Sequence, residues 1–321
     1  MKNSPIPTAG KHFISVVTPC YNEEENVDLL YSKVKEQFQS LSSLYTYEHI
    51  FLDNASTDRT VEKLRQIAAG DKNVKLILNA RNFGHIRSPF YGLTQASGAA
   101  VIQIVADLQD PPEMIPQLLD AWQKGYKIAA CIKSNSEESF IFFHIRKLYY
   151  KILDYVSEIE IIQNFTGFGI YDRSVITMLK NLNDPYPFFR GLICELGFDI
   201  FRIQYLQPAR KRGFSKNNLY TLYDIGILGL TSHSKKLLRL TTLIGFIFAF
   251  FSMATLLFYF IYKILNWNSF TLGLAPLLFG VFFFASLNLV FLGIIGEFIG
   301  NIYTKVMQRP IVVEKERVNF E

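Results

Sequence analysis

Residues 99–113 read AAVIQIVADLQDPPE. Three signals follow one another in this stretch. An apolar run of strand length comes first, then a polar turn, then Pro-Pro-Glu, which opens a helix at the positions where proline is tolerated. A strand that ends in an acidic turn and passes at once into a helix belongs to a strand–helix–strand fold. The turn also carries chemistry. Asp107 and Gln109 offer oxygen donors of the kind that a hard divalent cation takes. Val105, two residues before Asp107, stands where a second carboxylate would make a pair. The alternative for Asp107 is an aspartate that caps the helix.

Working outward, apolar runs at 13–19, 47–52, 74–78, 99–106 and 128–132 read as strands, and helical rhythms fall at 24–41, 58–69, 88–97 and 111–122. This strand–helix alternation predicts an α/β fold with a parallel sheet covered by helices on both faces. Such sheets bind ligands at the carboxyl ends of their strands. Polar groups collect at those ends: Tyr21-Asn22-Glu23, Asp53-Asn54, Arg81-Asn82 and Asp107. The chain has neither a Gly-x-Gly-x-x-Gly turn nor a Gly-Lys-Ser/Thr phosphate loop, so a nucleotide would be bound without a glycine-rich helix start.

The composition changes after Arg239. Residues 240–262 and 272–296 hold no charged side chain, and each run can cross a hydrocarbon core about 30 Å thick. Lys235, Lys236 and Arg239 precede the first run, and Lys305 and Arg309 follow the second. The positive-inside rule then places both outer ends in the cytoplasm. The expected organisation is a cytosolic domain over 1–216, a juxtamembrane amphipathic segment over 217–236, a transmembrane hairpin over 237–304 and a cytosolic tail over 305–321. That organisation makes the protein multi-pass in the cell (inner) membrane. Residues 140–156 and 218–230 mix aromatic and basic side chains and read either as helices in the membrane surface or as core helices.

The three cysteines lack metal-ligand spacing and read as free thiols. The formal charge of +5 gathers near the membrane-proximal segment, which favours anionic lipid over nucleic acid as a partner.

SVVTPCYNEEENV, FLDNASTDRT, RNFG and ADLQDPPE, in that order, resemble the inverting glycosyltransferases of GT-A (Rossmann-like) fold that use nucleotide sugars. With FFRGLI, RGFSK and the C-terminal hairpin added, the chain resembles the polyprenyl-phosphate glycosyltransferases, meaning dolichyl-phosphate mannose synthases and, more closely, bactoprenol glucosyltransferases. The resemblance covers about residues 12–310. It implies a nucleoside-diphosphate sugar donor, UDP-glucose by default, a polyprenyl (undecaprenyl) phosphate acceptor, a Mg²⁺ or Mn²⁺ cofactor and a homo-oligomer.

Carried over residue by residue, the resemblance gives Pro19, Tyr21, Glu23 and Asp53 to the nucleotide, with Arg81 toward the diphosphate or base. An aromatic ring can stack on a base and a carboxylate can accept from its imide N–H. Glu23 can also be read as a helix N-terminal charge, Asp53 as a turn residue and Arg81 as a surface arginine. Asp107 and Gln109 are the metal residues, and Val105 and Asn54 depart from the acidic residues usual there. Arg210, Arg212, Ser215 and Lys216, with Arg190 of FFRGLI, face the acceptor phosphate; Asp107, Arg210, Arg212 and Lys216 form the catalytic set.

A phosphate acceptor is already an oxyanion at neutral pH, so no general base is required. The stretch 164–173, NFTGFGIYDR, supplies none that can be carried over, although Asn164, Thr166 and Glu195 stay open as site residues. Two other functions compete: a processive polysaccharide synthase, which would need more spans and a Gln-x-x-Arg-Trp motif, and a membrane-anchored scaffold that has lost metal binding.

Overall fold

The computed structural model describes residues 10–134, 160–208, 226–229, 231, 236–266 and 274–320. Among these residues there are eight strands: β1 (His12–Cys20), β2 (Tyr45–Asp53), β3 (Val74–Asn79), β4 (Ala100–Gln103), β5 (Ile128–Lys133), β6 (Phe165–Asp172), β7 (Ile200–Tyr205) and β8 (Glu314–Val318). They form one sheet in the order β7-β5-β6-β4-β1-β2-β3-β8.

The expected parallel sheet is present at its centre, where β1 pairs in parallel with β2 and β4, and β2 with β3. The sheet as a whole is mixed. β6 runs antiparallel between β4 and β5, and β8 runs antiparallel along β3. The segment expected to be a tail at 305–321 therefore contains the eighth strand. Its EKERV sequence has no apolar run because an edge strand is half solvated and carries charge readily.

Helices cover both faces. On one side lie α1 (Val27–Ser40), α2 (Thr60–Gly70) and α4 (Ile115–Gln123). Val27, Leu30, Val34, Leu64, Leu118 and Trp122 pack there against Ile14, Val16, Phe51 and Ile102. On the other side lie α3 (Gly84–Gln95), α5 (Arg173–Asn181) and α6 (Phe189–Glu195). Phe90, Val175, Ile176, Leu179 and Ile193 pack there against Val17, Ile50, Val101 and Ile128. Alternate strand residues thus enter opposite cores, which is why the strands read as continuous apolar runs.

Two boundaries differ from the sequence reading for visible reasons. β4 ends at Gln103 because the Val105 N–H turns away to Asp110 Oδ2, at 3.1 Å. Helix α3 starts four residues early, at Gly84, because Asn82 Oδ1 accepts the Gly84 N–H and Asn54 Oδ1 accepts the Phe83 N–H, both at 2.8 Å.

Two long helices follow, α7 (Lys236–Leu265) and α8 (Leu274–Val306). Both are long and apolar enough to cross a membrane, and their apolar windows are unburied. Phe248 meets Phe283 and Phe284 edge-on at 5.8 and 6.5 Å. The end of α8 is fastened to the sheet domain: Lys305 pairs with Asp184 at 3.2 Å. Asn301 Nδ2 donates to Thr231 Oγ1 at 3.1 Å. The 140–156 stretch lies outside the described residues. Of 218–230 only 226–229 are described, and these are helical.

Candidate functional site

Strand β1 has β2 on one side and β4 on the other, so the chain reverses its lateral direction there. Open α/β sheets place their binding crevice at the carboxyl end of such a switch point. A cleft of about 540 Å³ occupies this place. Pro19, Cys20, Tyr21 and Glu23 line it from the end of β1; Gln103, Val105 and Asp107 from the end of β4; Pro187, Phe188, Phe189 and Arg190 from the start of α6.

The loop after β1 is held by side chains rather than by a glycine turn. Asn22 adopts φ 54°, a left-handed conformation that asparagine tolerates. Its Oδ1 accepts the Thr57 N–H at 2.7 Å, and its own N–H donates to Ser56 Oγ at 2.8 Å. The Glu23 N–H donates to Thr60 Oγ1 at 2.8 Å, and Glu23 Oε2 accepts from Asn26 Nδ2 at 2.7 Å. Tyr21 and Glu23 are thereby presented to the cleft on a braced loop.

Asp53 is different. It is 1% exposed and absent from the cleft lining. Its oxygens accept the Ser56 N–H at 3.0 Å and the Ser56 hydroxyl at 2.5 Å. Burial raises its pKa, against those hydrogen bonds. These bonds shape the loop that braces Tyr21 and Glu23. Asn54, in place of an acidic residue, lines the cleft and also clamps the start of α3, donating to Asn82 Oδ1 at 3.0 Å and to the Gly84 carbonyl at 3.2 Å. Arg81 is exposed and stacks on the Phe83 ring at 4.0 Å. It donates to the Asn82 carbonyl at 3.0 Å, and it is not among the residues lining the cleft.

Asp107 lines the cleft at the turn where Leu108 takes φ 61°. One of its oxygens accepts the Gln109 N–H at 3.1 Å, a turn contact; it does not cap the helix that follows, whose start carries no side-chain cap. Gln109 is partly exposed but does not line the cleft. Asp110 is 2% exposed and accepts from the Val105 N–H and the Tyr205 hydroxyl, each at 3.1 Å. Burial pushes its carboxyl up to about 7. Its oxygens brace the turn.

Among the described residues no group of three or more His, Cys, Asp or Glu side chains is arranged to hold a metal ion. A metal at Asp107 would therefore be shared with the ligand. The residues fit that arrangement, because Mg²⁺ takes one or two carboxylates and fills its shell with phosphate oxygens and water.

Arg190 enters the cleft from the first turn of α6, near the Phe165 carbonyl at 3.4 Å and the Phe188 ring at 5.7 Å. Thr166 lines the cleft; Asn164 and Glu195 do not. Arg210, Arg212, Ser215 and Lys216 lie outside the described residues. Gln103 sits inside an apolar run and carries no signal of its own in the sequence, and Pro187, Phe188 and Phe189 stand out there only as the neighbours of Arg190.

The model of glycosyl transferase family 2 matches residues 15–179, just over half of the chain. A Synechocystis sp. (strain ATCC 27184 / PCC 6803 / Kazusa) protein named uncharacterized glycosyltransferase sll0501 is 33% identical over 309 residues, 96% of each chain. A Shigella flexneri protein named SfII prophage-derived bactoprenol glucosyl transferase is 33% identical over 304 residues, 94% of this chain and 97% of its own. Among solved structures, Mycobacterium tuberculosis glucosyl-3-phosphoglycerate synthase in complex with Mn²⁺, UDP and phosphoglyceric acid aligns with a TM-score of 0.49 at 19% identity. That alignment covers 68% of this chain and 76% of the other.

The chain belongs to glycosyl transferase family 2 and is a glycosyltransferase of GT-A type, with a Rossmann-like mixed sheet followed by two apolar helices.

Proposed function

We propose that the protein transfers a single sugar, glucose by default, from a UDP-sugar to undecaprenyl or another polyprenyl phosphate on the cytoplasmic leaflet of the inner membrane. The observation that carries this reading is a physical link. Asp184 lies in the loop that leads into the Pro187–Phe188–Phe189–Arg190 wall of the cleft, and it is paired with Lys305 at the end of apolar helix α8. An aromatic and cationic wall tethered to an apolar helix suits an acceptor that has a phosphate head and a hydrocarbon tail. The relatives named bactoprenol glucosyl transferase support the same acceptor.

In this reading Tyr21 stacks on the base and Glu23 accepts from its imide, both on the braced β1 loop. A Mg²⁺ or Mn²⁺ ion held by Asp107 would neutralise charge on the departing nucleoside diphosphate. Arg190 orients the acceptor phosphate, since an arginine fork matches phosphate oxygens. Arg210, Arg212, Ser215 and Lys216 are proposed to share that task. The lipid phosphate attacks the anomeric carbon from the side opposite the leaving group, which inverts the configuration. No side chain needs to remove a proton, because a phosphate monoester with a second pKa near 6 is already anionic at pH 7. The exposed apolar flanks of α7 and α8 suit lipid and a second copy of the chain.

The deciding experiment is a donor screen against undecaprenyl phosphate in detergent, read by mass spectrometry of the lipid product. A hexose added to the lipid phosphate by the wild type, and lost in Asp107→Ala, supports the reading. Absence of product across the panel sinks it. Val105 favours a second reading, a nucleotide-sugar-binding scaffold without catalysis. Calorimetry with UDP-glucose would support the scaffold if binding were indifferent to Mn²⁺.

A further inference from the structure

Gln103 is the last residue of β4, in register with Val17 of β1 and Gly169 of β6. It is 7% exposed and lines the cleft. Its Oε1 is buried and accepts no hydrogen bond. Four other buried side-chain atoms share that condition among the described residues, on Tyr47, His49, Asn79 and Arg87, and none of those residues lines the cleft; the buried Glu48 Oε2 is paired with Lys75 Nζ. An amide buried without a partner is destabilising. A β-branched apolar residue would fill the end of a strand without that cost.

A second feature keeps room for this side chain. Gly167 of β6 takes φ 106°, and a Cβ there would lie 3.3 Å from Gln103 Nε2. The Tyr171 hydroxyl donates to the Gly167 carbonyl at 2.6 Å and pins that backbone in place. The carboxamide therefore has a seat, made by a glycine in a conformation that other residues rarely adopt.

The orphaned atom is a carbonyl oxygen, so its missing partner is a hydrogen-bond donor or a cation. A cation or a ribose hydroxyl there would couple to UDP and to UDP-sugars alike, whereas a hydroxyl of the transferred sugar couples to the sugar alone. Diphosphate oxygens and an ionised phosphate monoester only accept, so neither satisfies the carbonyl oxygen. A sugar hydroxyl both donates and accepts, which matches a neutral carboxamide. Residues 103 and 105 both line the cleft. Val105 offers no polar atom there, so Gln103 brings hydrogen bonding to a stretch of wall that is otherwise apolar.

We propose that Gln103 is a specificity-determining residue that accepts a hydrogen bond from a ring hydroxyl of the sugar being transferred. This rests on the reading of the cleft as a nucleotide-sugar site.

The test uses the full chain in detergent and two variants, Gln103→Met, which keeps the length of the side chain, and Gln103→Leu. The probes are UDP, GDP, UDP-glucose, UDP-galactose, UDP-N-acetylglucosamine and GDP-mannose, measured by calorimetry and by unfolding temperature. UDP or GDP alone should bind wild type and variants equally. The preferred nucleotide sugar should bind about tenfold more weakly to the variants, the scale of one lost neutral hydrogen bond. Its advantage over the nearest competing sugar should shrink by a similar factor. The ligand-free variants should unfold no earlier than wild type, because an unpartnered amide has been removed. A merely structural glutamine would lower that temperature instead.

Unchanged affinity and unchanged sugar preference in either folded variant overturn the proposal. So does an equal loss for UDP and the UDP-sugars. Should the wild type bind no nucleotide sugar at all, the proposed function falls and this inference with it. Binding that Asp107→Ala weakens but Gln103→Met leaves intact defeats this inference alone.

Discussion

The two ends of the sheet treat polar side chains in opposite ways. Toward the amino ends of the strands, Glu48 is 2% exposed and fully engaged. Ser15 Oγ donates to it at 2.5 Å, Ser97 N and Oγ each at 2.8 Å, and Lys75 Nζ pairs with it at 2.7 Å. Beside it, Arg173 donates to the carbonyls of Ala96 and Gly98, and Gly98 packs so tightly on Ser15 that a Cβ would come within 2.5 Å of its backbone nitrogen. At the carboxyl ends, Tyr21, Glu23, Gln103, Asp107 and Arg190 converge on a cleft. One end closes its charges on each other and the other turns its polar groups toward an open cleft. A buried carboxylate alone therefore does not mark a site. What marks one is where the polar groups converge.

Substitutions at the two ends should separate function from stability. The largest effect is expected for Asp107→Ala, which should lower sugar transfer about 10²–10³-fold, the scale of losing one group that stabilises transition-state charge. Its unfolding temperature should stay near wild type. A comparable loss of stability would erase the contrast between the ends.

Glu48→Ala should do the reverse. It strands Lys75 and two serines and should cost about 3 kcal/mol in denaturant unfolding, while nucleotide affinity of the folded protein is unchanged. The pH dependence follows from the same group. Burial pushes the Glu48 carboxyl up, but Lys75, Ser15 and Ser97 together outweigh it and hold its pKa below the ordinary value. A depressed carboxyl stabilises the fold above its unfolded pKa, and this contribution is lost as pH falls below about 4.3 and through the folded value. Unfolding temperature should thus drop in acid more steeply for wild type than for Glu48→Gln.

Tyr21→Ala should weaken nucleotide binding about tenfold by calorimetry, the scale of one base–aromatic stack. A smaller change is expected for Val105→Asp. It restores a carboxylate beside Asp107 and should bind Mn²⁺ a few-fold more tightly without nucleotide, with one or two carboxylates being the usual share for such ions. Unchanged Mn²⁺ affinity would mean that residue 105 does not face the ion.

Much of this was legible in the sequence. Strands buried on both faces appear as unbroken apolar runs, so β1 to β5 could be read from 13–19 through 128–132. The residues at their ends could be picked out as polar clusters. Three things resisted. β6 lies in NFTGFGIYDR, where glycines interrupt the pattern and nothing local reveals that it runs antiparallel between β4 and β5. β8 is charged at four of its five positions, because an edge strand is held largely by backbone pairing, here with β3, and only Val318 packs against the core. Asp53 and Asn54 could not be sorted by residue type. The carboxylate serves the turn and the amide lines the cleft, a distinction set by which neighbouring N–H groups each one meets.

The position of β8 has a consequence for biosynthesis. A ribosome delivers β1 to β7 first, then both apolar helices, and only afterwards the five residues that cover β3. Until then the β3 edge carries unpaired backbone groups, open to association with any other extended chain. Completion of the sheet therefore waits on both apolar helices: until the chain has passed through them and come back beside β3, the sheet stays open at this edge.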